Sequence, residues 1–418
     1  MKEKKNNTGM SRRSFLKVAG VGSLAASTVG FPAILRAQPK EILVGSMHPI
    51  TGPTAYDGQS IANGFQLAID QKNAAGGIKS LGGAKIKVIL MDTESKPKVG
   101  EAAAEKLIRD GCVAIVGAYN SPVTMVATQV AERNQVPFII TISVADEILQ
   151  RGFKYTFRVQ PDSTNMSELT CRYVRFLADK YVVPLKTAAL LHISGFGSSI
   201  ANKLVKFGPQ YGFEVIGEVS YGYGVSDLTT EISKLKNMNA DVIFDTGYLA
   251  DGILKLRTYA DLKVRPKGGI IGCSNGAYSN PTTIKELGSL TEYLMDGNYY
   301  YDPRSVLTTK VIEEYNKKFP KVAFQSHSVH AYDAGLVLTN ALERAASTDP
   351  RKIRDAIATT SLKVHMAPGG PIEFDATGQN VNAMITLQQI QKGDIKVVLP
   401  DQYSDATAVY PYPMWGEK

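Results

Sequence analysis

The chain has 418 residues, of which 44% are hydrophobic and 21% are charged, and its formal net charge is +8. This length exceeds what one hydrophobic core usually organises, so we expect two domains. Residues 1–37 carry +6 of the net charge, which leaves +2 for the remainder and removes the support for a nucleic-acid or membrane-surface role.

The first residues have the pattern of an export signal. An arginine pair within residues 11–17 precedes an uncharged stretch, 18–35, that is rich in Gly, Ala and Ser, and Ala37 offers a cleavage site. We interpret residues 1–37 as a twin-arginine signal peptide, which places the mature protein in the bacterial periplasm or outside the cell. A transmembrane anchor is the alternative, but the stretch is weakly hydrophobic and contains Pro32.

Strand and helix patterns alternate after the signal. Apolar runs predict strands at 41–47, 85–91, 113–116 and 137–140. Amphipathic periodicity predicts helices at 61–73, 99–109 and 123–133. Repeated βα units of this kind imply an α/β fold, with a parallel sheet that is covered by helices on both faces.

A second series of βα units begins after a break at residues 157–163, where a strand runs into a turn that contains Pro161. It predicts strands at 187–193, 215–221, 241–245 and 269–272. It predicts helices at 165–181, 201–211, 228–236 and 252–259. Helical patterns follow at 308–319, 329–346 and 350–359, and an extended region at 385–398. The chain therefore contains a second sheet of the same kind.

Residues 114–124 form the clearest candidate for a ligand platform. An apolar strand pattern ends at Gly117, and a small polar loop opens a helix whose first turn is rich in Ser and Thr. Unpaired amides at such a strand-to-helix turn attract anions such as carboxylates. An ordinary capped turn without a ligand is the alternative.

The three cysteines, Cys112, Cys171 and Cys273, stand singly and without the spacing of a metal site. They exclude a disulfide framework, although one bridge is possible in an oxidising compartment. Cys112 and Cys273 lie beside buried-strand patterns, so we expect packed, unreactive thiols.

Several short motifs resemble the periplasmic solute-binding proteins of branched-chain amino acid type ABC transporters. They are spread over the whole mature chain, in the family's order. These motifs occur at 42–45, 51–58, 73–78, 92–93, 116–117, 145–148 and 374–378. The resemblance implies two Rossmann-like lobes with parallel sheets, joined by a three-crossover hinge, with the ligand cleft between them.

The resemblance also implies a domain division and a set of partners. Lobe one would comprise residues 38–161 and 302–368, and lobe two residues 162–301 and 369–418. The lobes would close on a small-molecule ligand, and a monomeric binding protein would deliver it to the permease and ATPase subunits of an importer. No cofactor and no catalysis are expected.

Lobe one supplies four candidate ligand contacts by the family's pattern. Ser121, with its neighbouring amides, and Ser143 would bind a ligand carboxylate, since hydrogen bonds to a charged group contribute roughly 1.5 to 3 kcal/mol each. Helix capping is the alternative for both serines. Tyr119 and Tyr56 would line the cleft, although a half-buried structural role suits each equally well.

Lobe two supplies Phe196, from a Gly-rich turn, and Tyr248, which follows a predicted strand. Asn275 departs from the family's pattern, because amino acid-binding members place a carboxylate there to pair with the α-ammonium of the ligand. A neutral Asn275 leaves a buried ammonium without a counter-ion unless Asp251 or Asp245 replaces it, although Asp245 is expected to cap its strand. We therefore expect a small polar ligand, an amino acid, a carboxylate or an amide, and the neutral Asn275 favours a carboxylate, an amide or an aromatic acid over an α-amino acid.

Two other functional classes compete with transport. An enzyme is disfavoured, because residues 194–197 form neither a nucleophile elbow nor a dinucleotide fingerprint. His327 and His330 have spacing that suits a metal but lack a third ligand, so we expect a solvated or capping role. A periplasmic sensor for a chemoreceptor or histidine kinase would use the same cleft, and the sequence does not separate it from a transport protein.

Overall fold

Two β-sheets with helices packed against them make up residues 40–414, which are the residues that the computed structural model describes. The predicted signal peptide, residues 1–37, lies outside this described part. Within residues 40–414, no helix combines the length and the apolar character that crossing a membrane requires.

Fourteen strands occur in the described residues. In chain order they are β1 Glu41–His48, β2 Lys85–Asp92, β3 Ile115–Gly117, β4 Phe138–Ile140, β5 Thr156–Arg158, β6 Thr187–Ile193, β7 Glu214–Tyr221, β8 Val242–Gly247, β9 Ile270–Asn275, β10 Met295–Asn298, β11 Ser361–Leu362, β12 Ile372–Glu373, β13 Thr386–Gln391 and β14 Asp394–Leu399. The eight strands predicted in the two βα series are all present, whereas β10, β11 and β12 were not predicted.

Eleven α-helices accompany these strands in residues 40–414. They are α1 Ala55–Ala74, α2 Pro97–Arg109, α3 Ser121–Arg133, α4 Ser163–Lys180, α5 Phe196–Phe207, α6 Thr229–Asn237, α7 Leu249–Asp261, α8 Pro281–Leu287, α9 Val306–Lys318, α10 Ser326–Ala345 and α11 Pro350–Ala358. The short helix α8 was not predicted, and α1 and α5 begin earlier than expected.

The two large sheets confirm the predicted α/β class. The first has the order β2-β1-β3-β4-β5 and is parallel throughout. The second has the order β14-β13-β10-β9-β8-β6-β7, parallel from β10 to β7. The predicted extended region is an antiparallel hairpin, β13–β14, at the edge of the second sheet.

The late helices return to the first sheet. Helix α10 packs closely against α1 because both present glycines at the contact: a Cβ on Gly64 would lie 2.5 Å from the carbonyl oxygen of Ser328, and one on Gly335 would lie 2.6 Å from the Cβ of Ala68. Helices α2 and α3 pack on each other and form a separate apolar cluster on the first sheet. Helices from distant parts of the chain therefore cover this sheet.

Three chain segments pass between elements of the two sheets: 159–162, 299–305 and 381–385. Before the third segment, Gln379 pairs with Arg158 at the edge of the first sheet. The lobe boundaries themselves remain a prediction. These three segments bring the carboxyl ends of both sets of parallel strands to one cavity.

Candidate functional site

A small cavity lies where loops of the two sheets meet. Five of its lining side chains carry aromatic rings: Tyr119, Phe196, Tyr248, Tyr299 and His327. Ile142 and Val144 add apolar surface, while Ser121, Ser274, Asn298 and the backbone of Gly247 and Gly276 add polar groups. The cavity therefore combines an aromatic enclosure with a small number of hydrogen-bonding groups, as is typical of small-molecule sites.

The first-sheet wall consists of the loops after β3 and β4, together with α10. Tyr119 follows β3, and Ser121 is the first residue of α3. Ile142 and Val144 lie in the loop after β4. His327 comes from the first turn of α10, and burial lowers its pKa to about 4, so it is neutral near pH 7.

The second-sheet wall consists of loops after β6, β8 and β9 and of the end of β10. Phe196 is the first residue of α5, and Tyr248 is the N-cap of α7. Ser274 lies near the end of β9, and Asn298 is the last residue of β10. The walls thus place the N-terminal turns of α3, α5 and α7 at the cavity.

These three helix N-termini give the cavity its electrostatic character. Amides in the first turn of a helix lack intrahelical acceptors, and the helix dipole adds partial positive charge there. Among the described residues, the cavity lining includes no Asp, Glu, Lys or Arg. The arrangement suits an anionic group held by neutral donors.

The two walls touch directly. The Nδ2 atom of Asn120 donates a hydrogen bond to the hydroxyl oxygen of Tyr248 at 3.1 Å. The ring centroid of Tyr248 lies 5.4 Å from that of Tyr119 and 4.9 Å from that of Phe196. A planar apolar ligand in the cavity would contact aromatic rings of both walls.

Comparison with known proteins agrees with this architecture. A family model described as periplasmic binding protein matches residues 41–394. The chain belongs to the periplasmic binding protein family. Members of this family bind solutes, so the protein is a solute-binding protein and not an enzyme.

Curated relatives of this periplasmic binding protein include two from Brucella suis. Leu/Ile/Val-binding protein homolog 7 is 27% identical over 376 residues, which cover 86% of this chain and 92% of the relative. Homolog 8 is 28% identical over 400 residues, which cover 93% and 97%. The resemblance to branched-chain amino acid type binding proteins is confirmed.

Solved structures show the same fold. A leucine binding protein from Thermotoga maritima has a TM-score of 0.72 at 23% identity and covers 85% of this chain and 97% of its own. A solute binding protein of an ABC transporter from R. palustris, in complex with benzoate, has a TM-score of 0.74 at 17% identity and covers 90% and 99%. At these identities the likeness establishes the fold alone.

Four of the seven predicted ligand contacts line the cavity of this binding protein: Tyr119, Ser121, Phe196 and Tyr248. They come from the turns that directly follow β3, β6 and β8, where the sequence places a strand end beside a helix start. Whether they bind the ligand remains a prediction.

Ser143 and Tyr56 are not part of the cavity lining. The Ser143 hydroxyl donates to the carbonyl oxygens of Ala118 and Tyr119 at 3.0 and 3.1 Å, so it ties the two first-sheet loops together. Tyr56 lies in the first turn of α1, and its hydroxyl accepts a hydrogen bond from the amide of Ala323 at 3.0 Å. Both hydroxyl groups make contacts within the protein, and their assignment as ligand contacts stays a prediction.

Asn275 also points away from the cavity. Its Nδ2 donates to Asp245 Oδ1 at 3.0 Å, and its Oδ1 accepts from the amide of Ala277 at 3.0 Å. The neighbours Ser274 and Gly276 line the cavity instead. Asn275 is fully buried, and its role in ligand binding stays a prediction.

The proposed substitutes for the missing carboxylate are engaged elsewhere. Asp245 does not cap its strand: it pairs with the buried Lys255 and accepts hydrogen bonds from Tyr259 at 2.9 Å and Tyr278 at 2.8 Å. Asp251 lies 3.8 Å from the same lysine and accepts from the amide of Tyr248, whose helix it caps. Neither acid lines the cavity.

The two histidines behave differently from the expected solvated or capping role. His327 and His330 are 4% and 1% exposed, and the ring centroid of Tyr299 lies 5.5 and 5.2 Å from theirs. Within residues 40–414, no group of three His, Cys, Asp or Glu side chains is placed to hold a metal ion. His327 lines the cavity.

The structure adds lining residues that the sequence reasoning missed, among them Tyr299 and Asn298. Their only signal is their position, since they follow an apolar segment that enters the second sheet as β10. The three cysteines are buried free thiols, as expected for Cys112 and Cys273.

Proposed function

We propose that this chain is an extracytoplasmic solute-binding protein that captures a small carboxylate without an amino group and delivers it to an ABC importer. The ligand would lie between lobe one, residues 38–161 and 302–368, and lobe two, residues 162–301 and 369–418. Closure of the lobes about the three connecting segments would report occupancy to the permease and ATPase subunits.

The observation that carries this proposal is the pairing of three helix N-termini with a lining that lacks acidic side chains. A carboxylate gains hydrogen bonds from the first-turn amides of α3, α5 and α7. An α-ammonium entering the same cavity would lose its water without meeting a carboxylate, which costs several kcal/mol. The cavity therefore favours an acid over the matching amino acid.

The aromatic lining favours a ligand with a flat apolar body. Tyr119 and Tyr248 face each other across the walls, and Phe196 adds a third ring to this group. A ligand ring that packs against one of these rings gains about 0.5 to 1.5 kcal/mol beyond the burial of its surface. An aromatic acid satisfies both features, and a fold relative from R. palustris was solved in complex with benzoate.

The rest of the biological setting is proposed with the same function. The twin-arginine signal in residues 1–37 would export the protein to the periplasm, where it would act as a monomer. The twin-arginine export machinery would recognise Arg12 and Arg13.

A thermal-shift screen of purified protein tests the ligand class. The panel contains aromatic acids, aliphatic acids, amides and the amino acids that match them. A ligand at about one hundred times its dissociation constant stabilises the native state by about 2.7 kcal/mol, which gives a clear rise in melting temperature. Stabilisation by acids, and not by their amino acid counterparts, is the expected result. Stabilisation by amino acids alone would contradict the proposal.

A further inference from the structure

Asp57 is a buried carboxylate directly behind the first-sheet wall of the cavity. It is 1% exposed, and its Oδ2 atom accepts a hydrogen bond from the hydroxyl of Tyr119 at 2.9 Å. Its Oδ1 atom has no hydrogen-bond partner among residues 40–414. A buried carboxylate oxygen without a partner is costly, so its retention points to a use.

The position of Asp57 in its helix does not account for this burial. Asp57 is the third residue of α1, where a carboxylate interacts favourably with the helix dipole. That benefit is available to a solvated side chain, and α1 shows no hydrogen bond from its own first turn to this carboxylate. The contact that distinguishes Asp57 is the phenol of Tyr119, whose ring lines the cavity.

The groups around Asp57 leave its charge uncompensated. Tyr119 is the hydrogen-bond donor to Asp57 in the described residues, the side-chain amide of Gln325 lies nearby without a partner for its Nε2, and Asp251 acts on Asp57 from the second-sheet side with a like charge. Burial, the largest effect, raises the pKa of Asp57 to about 7. His327, which bonds Gln325 at 3.2 Å, is neutral above about pH 4. No cation appears among these neighbours.

A carboxylate in this place fixes the direction of the Tyr119 hydroxyl. When Asp57 is ionised, it can only accept, so the phenol proton is committed to Asp57 and the phenol oxygen keeps only acceptor capacity. When Asp57 is protonated, it can donate to the phenol oxygen, which frees the phenol proton. The hydrogen-bonding character of Tyr119 thus follows the charge of Asp57.

We propose that Tyr119, held by Asp57, is the acceptor for a hydroxyl group of the ligand, so that the protein selects hydroxy-substituted aromatic acids over unsubstituted ones. This proposal rests on the proposed function, since it assumes a carboxylate ligand in the same cavity. Tyr119 contacts the ligand in this account, and Asp57 is a positioning residue that acts through it. An ammonium is disfavoured at this point, because Asp57 does not line the cavity and its Oδ2 is taken by the Tyr119 hydroxyl.

Isothermal titration calorimetry with benzoate, 3-hydroxybenzoate and 4-hydroxybenzoate tests the proposal on the full mature chain. The measured quantity is the ratio of benzoate affinity to the affinity of the better hydroxy acid, because effects shared by all three probes cancel in it. We expect the native protein at about pH 8 to bind the hydroxy acid about ten-fold tighter. The preference should shrink at about pH 5.5, where Asp57 takes up a proton.

Three variants separate the roles. Tyr119→Phe should bring the ratio close to one at both pH values, while benzoate binding shows that the variant is folded. Asp57→Asn, which keeps the size of the side chain, should make the ratio independent of pH. Tyr332→Phe is the matched control, because the Tyr332 hydroxyl donates to Gln71 at 2.6 Å and lies outside the cavity lining. Its ratio should equal that of the native protein.

Several outcomes would overturn the proposal. These are an unchanged ratio in Tyr119→Phe, a pH-dependent ratio in Asp57→Asn, and a loss of preference in Tyr332→Phe. Failure of all three benzoates to bind the native protein would also overturn it. In that case the proposed function survives if another acid of the thermal-shift panel stabilises the protein, and fails if only amino acids do.

Discussion

The two walls of the cavity differ in how the charges behind them are compensated. Behind the second-sheet wall, Asp245 and Asp251 share the buried Lys255, and hydroxyl groups of neighbouring tyrosines complete their hydrogen bonds. Behind the first-sheet wall, Asp57 keeps one oxygen unpartnered in the described structure. Charges that satisfy one another stabilise the fold, whereas the partly unsatisfied Asp57 carboxylate acts on a ligand only through the phenol of Tyr119.

Among the changes considered, replacement of Lys255 should produce the largest effect, a loss of unfolding free energy. Lys255→Met would leave Asp245 and Asp251 buried without their cation, which we expect to cost about 3 to 5 kcal/mol of unfolding free energy. Urea denaturation of the native protein and the variant measures this loss. Lys267→Met is the control, because Lys267 forms an exposed pair with Asp241 at 2.8 Å and should change stability little. Equal stability of Lys255→Met and native protein would contradict the structural role.

Removing an aromatic ring from the second-sheet wall should act on binding instead. Tyr248→Ala and Phe196→Ala should each weaken ligand affinity by about 2 kcal/mol, roughly thirty-fold, because both rings line the cavity. Titration calorimetry with the best ligand of the panel measures the loss. Tyr223→Ala is the matched control: its ring packs against Tyr248 at 5.8 Å but is 46% exposed and outside the lining. Unchanged affinity in both cavity variants would remove them from the site.

Asp57 should have a smaller effect on stability, with a defined pH dependence. Its pKa is about 7 in the folded protein and about 3.9 in an unfolded chain, so the native state binds the extra proton between these values. The stability contributed by Asp57 is therefore complete below about pH 4 and is lost as the pH rises through about 7. Asp57→Asn lacks this loss and should be more stable than the native protein at pH 8, by on the order of 1 kcal/mol.

Unfolding free energies of the two proteins at pH 4 and pH 8 check this expectation. Asp296, whose pKa burial also raises to about 7, is present in both proteins, so its titration cancels in the difference. A difference that does not change between the two pH values would show that Asp57 titrates normally and would weaken the contrast between the walls.

The sequence predicted the fold well because the signals for it are local. Apolar runs and helical periodicity identified the βα units of both sheets, and three of the predicted contacts, Ser121, Phe196 and Tyr248, lie where a strand end meets a helix start. Short segments that pair over long distances were missed. Strand β10 is recognisable only through its partners β9 and β13, which are remote in sequence.

The side chains that do not line the cavity also have physical causes for their positions. Ser274 has a positive φ of 59° and the pairing of β8 with β9 is irregular there, so the alternation along β9 is broken and Asn275 turns into the core. Tyr56 lies in the first turn of α1, which begins at Ala55, earlier than its periodicity indicated. His327 could not be assigned, because only the return of α10 to the first sheet brings it to the cavity.

The most direct test of the central claim is calorimetric binding of a matched pair, phenylalanine and 3-phenylpropanoate, to the native protein. The account predicts that the des-amino acid binds at least about ten-fold tighter, because no carboxylate in the cavity lining is available to an ammonium. Tighter binding of phenylalanine would contradict the account. If Asp57→Asn or Asp251→Asn then abolished that preference, the variant would identify the counter-ion.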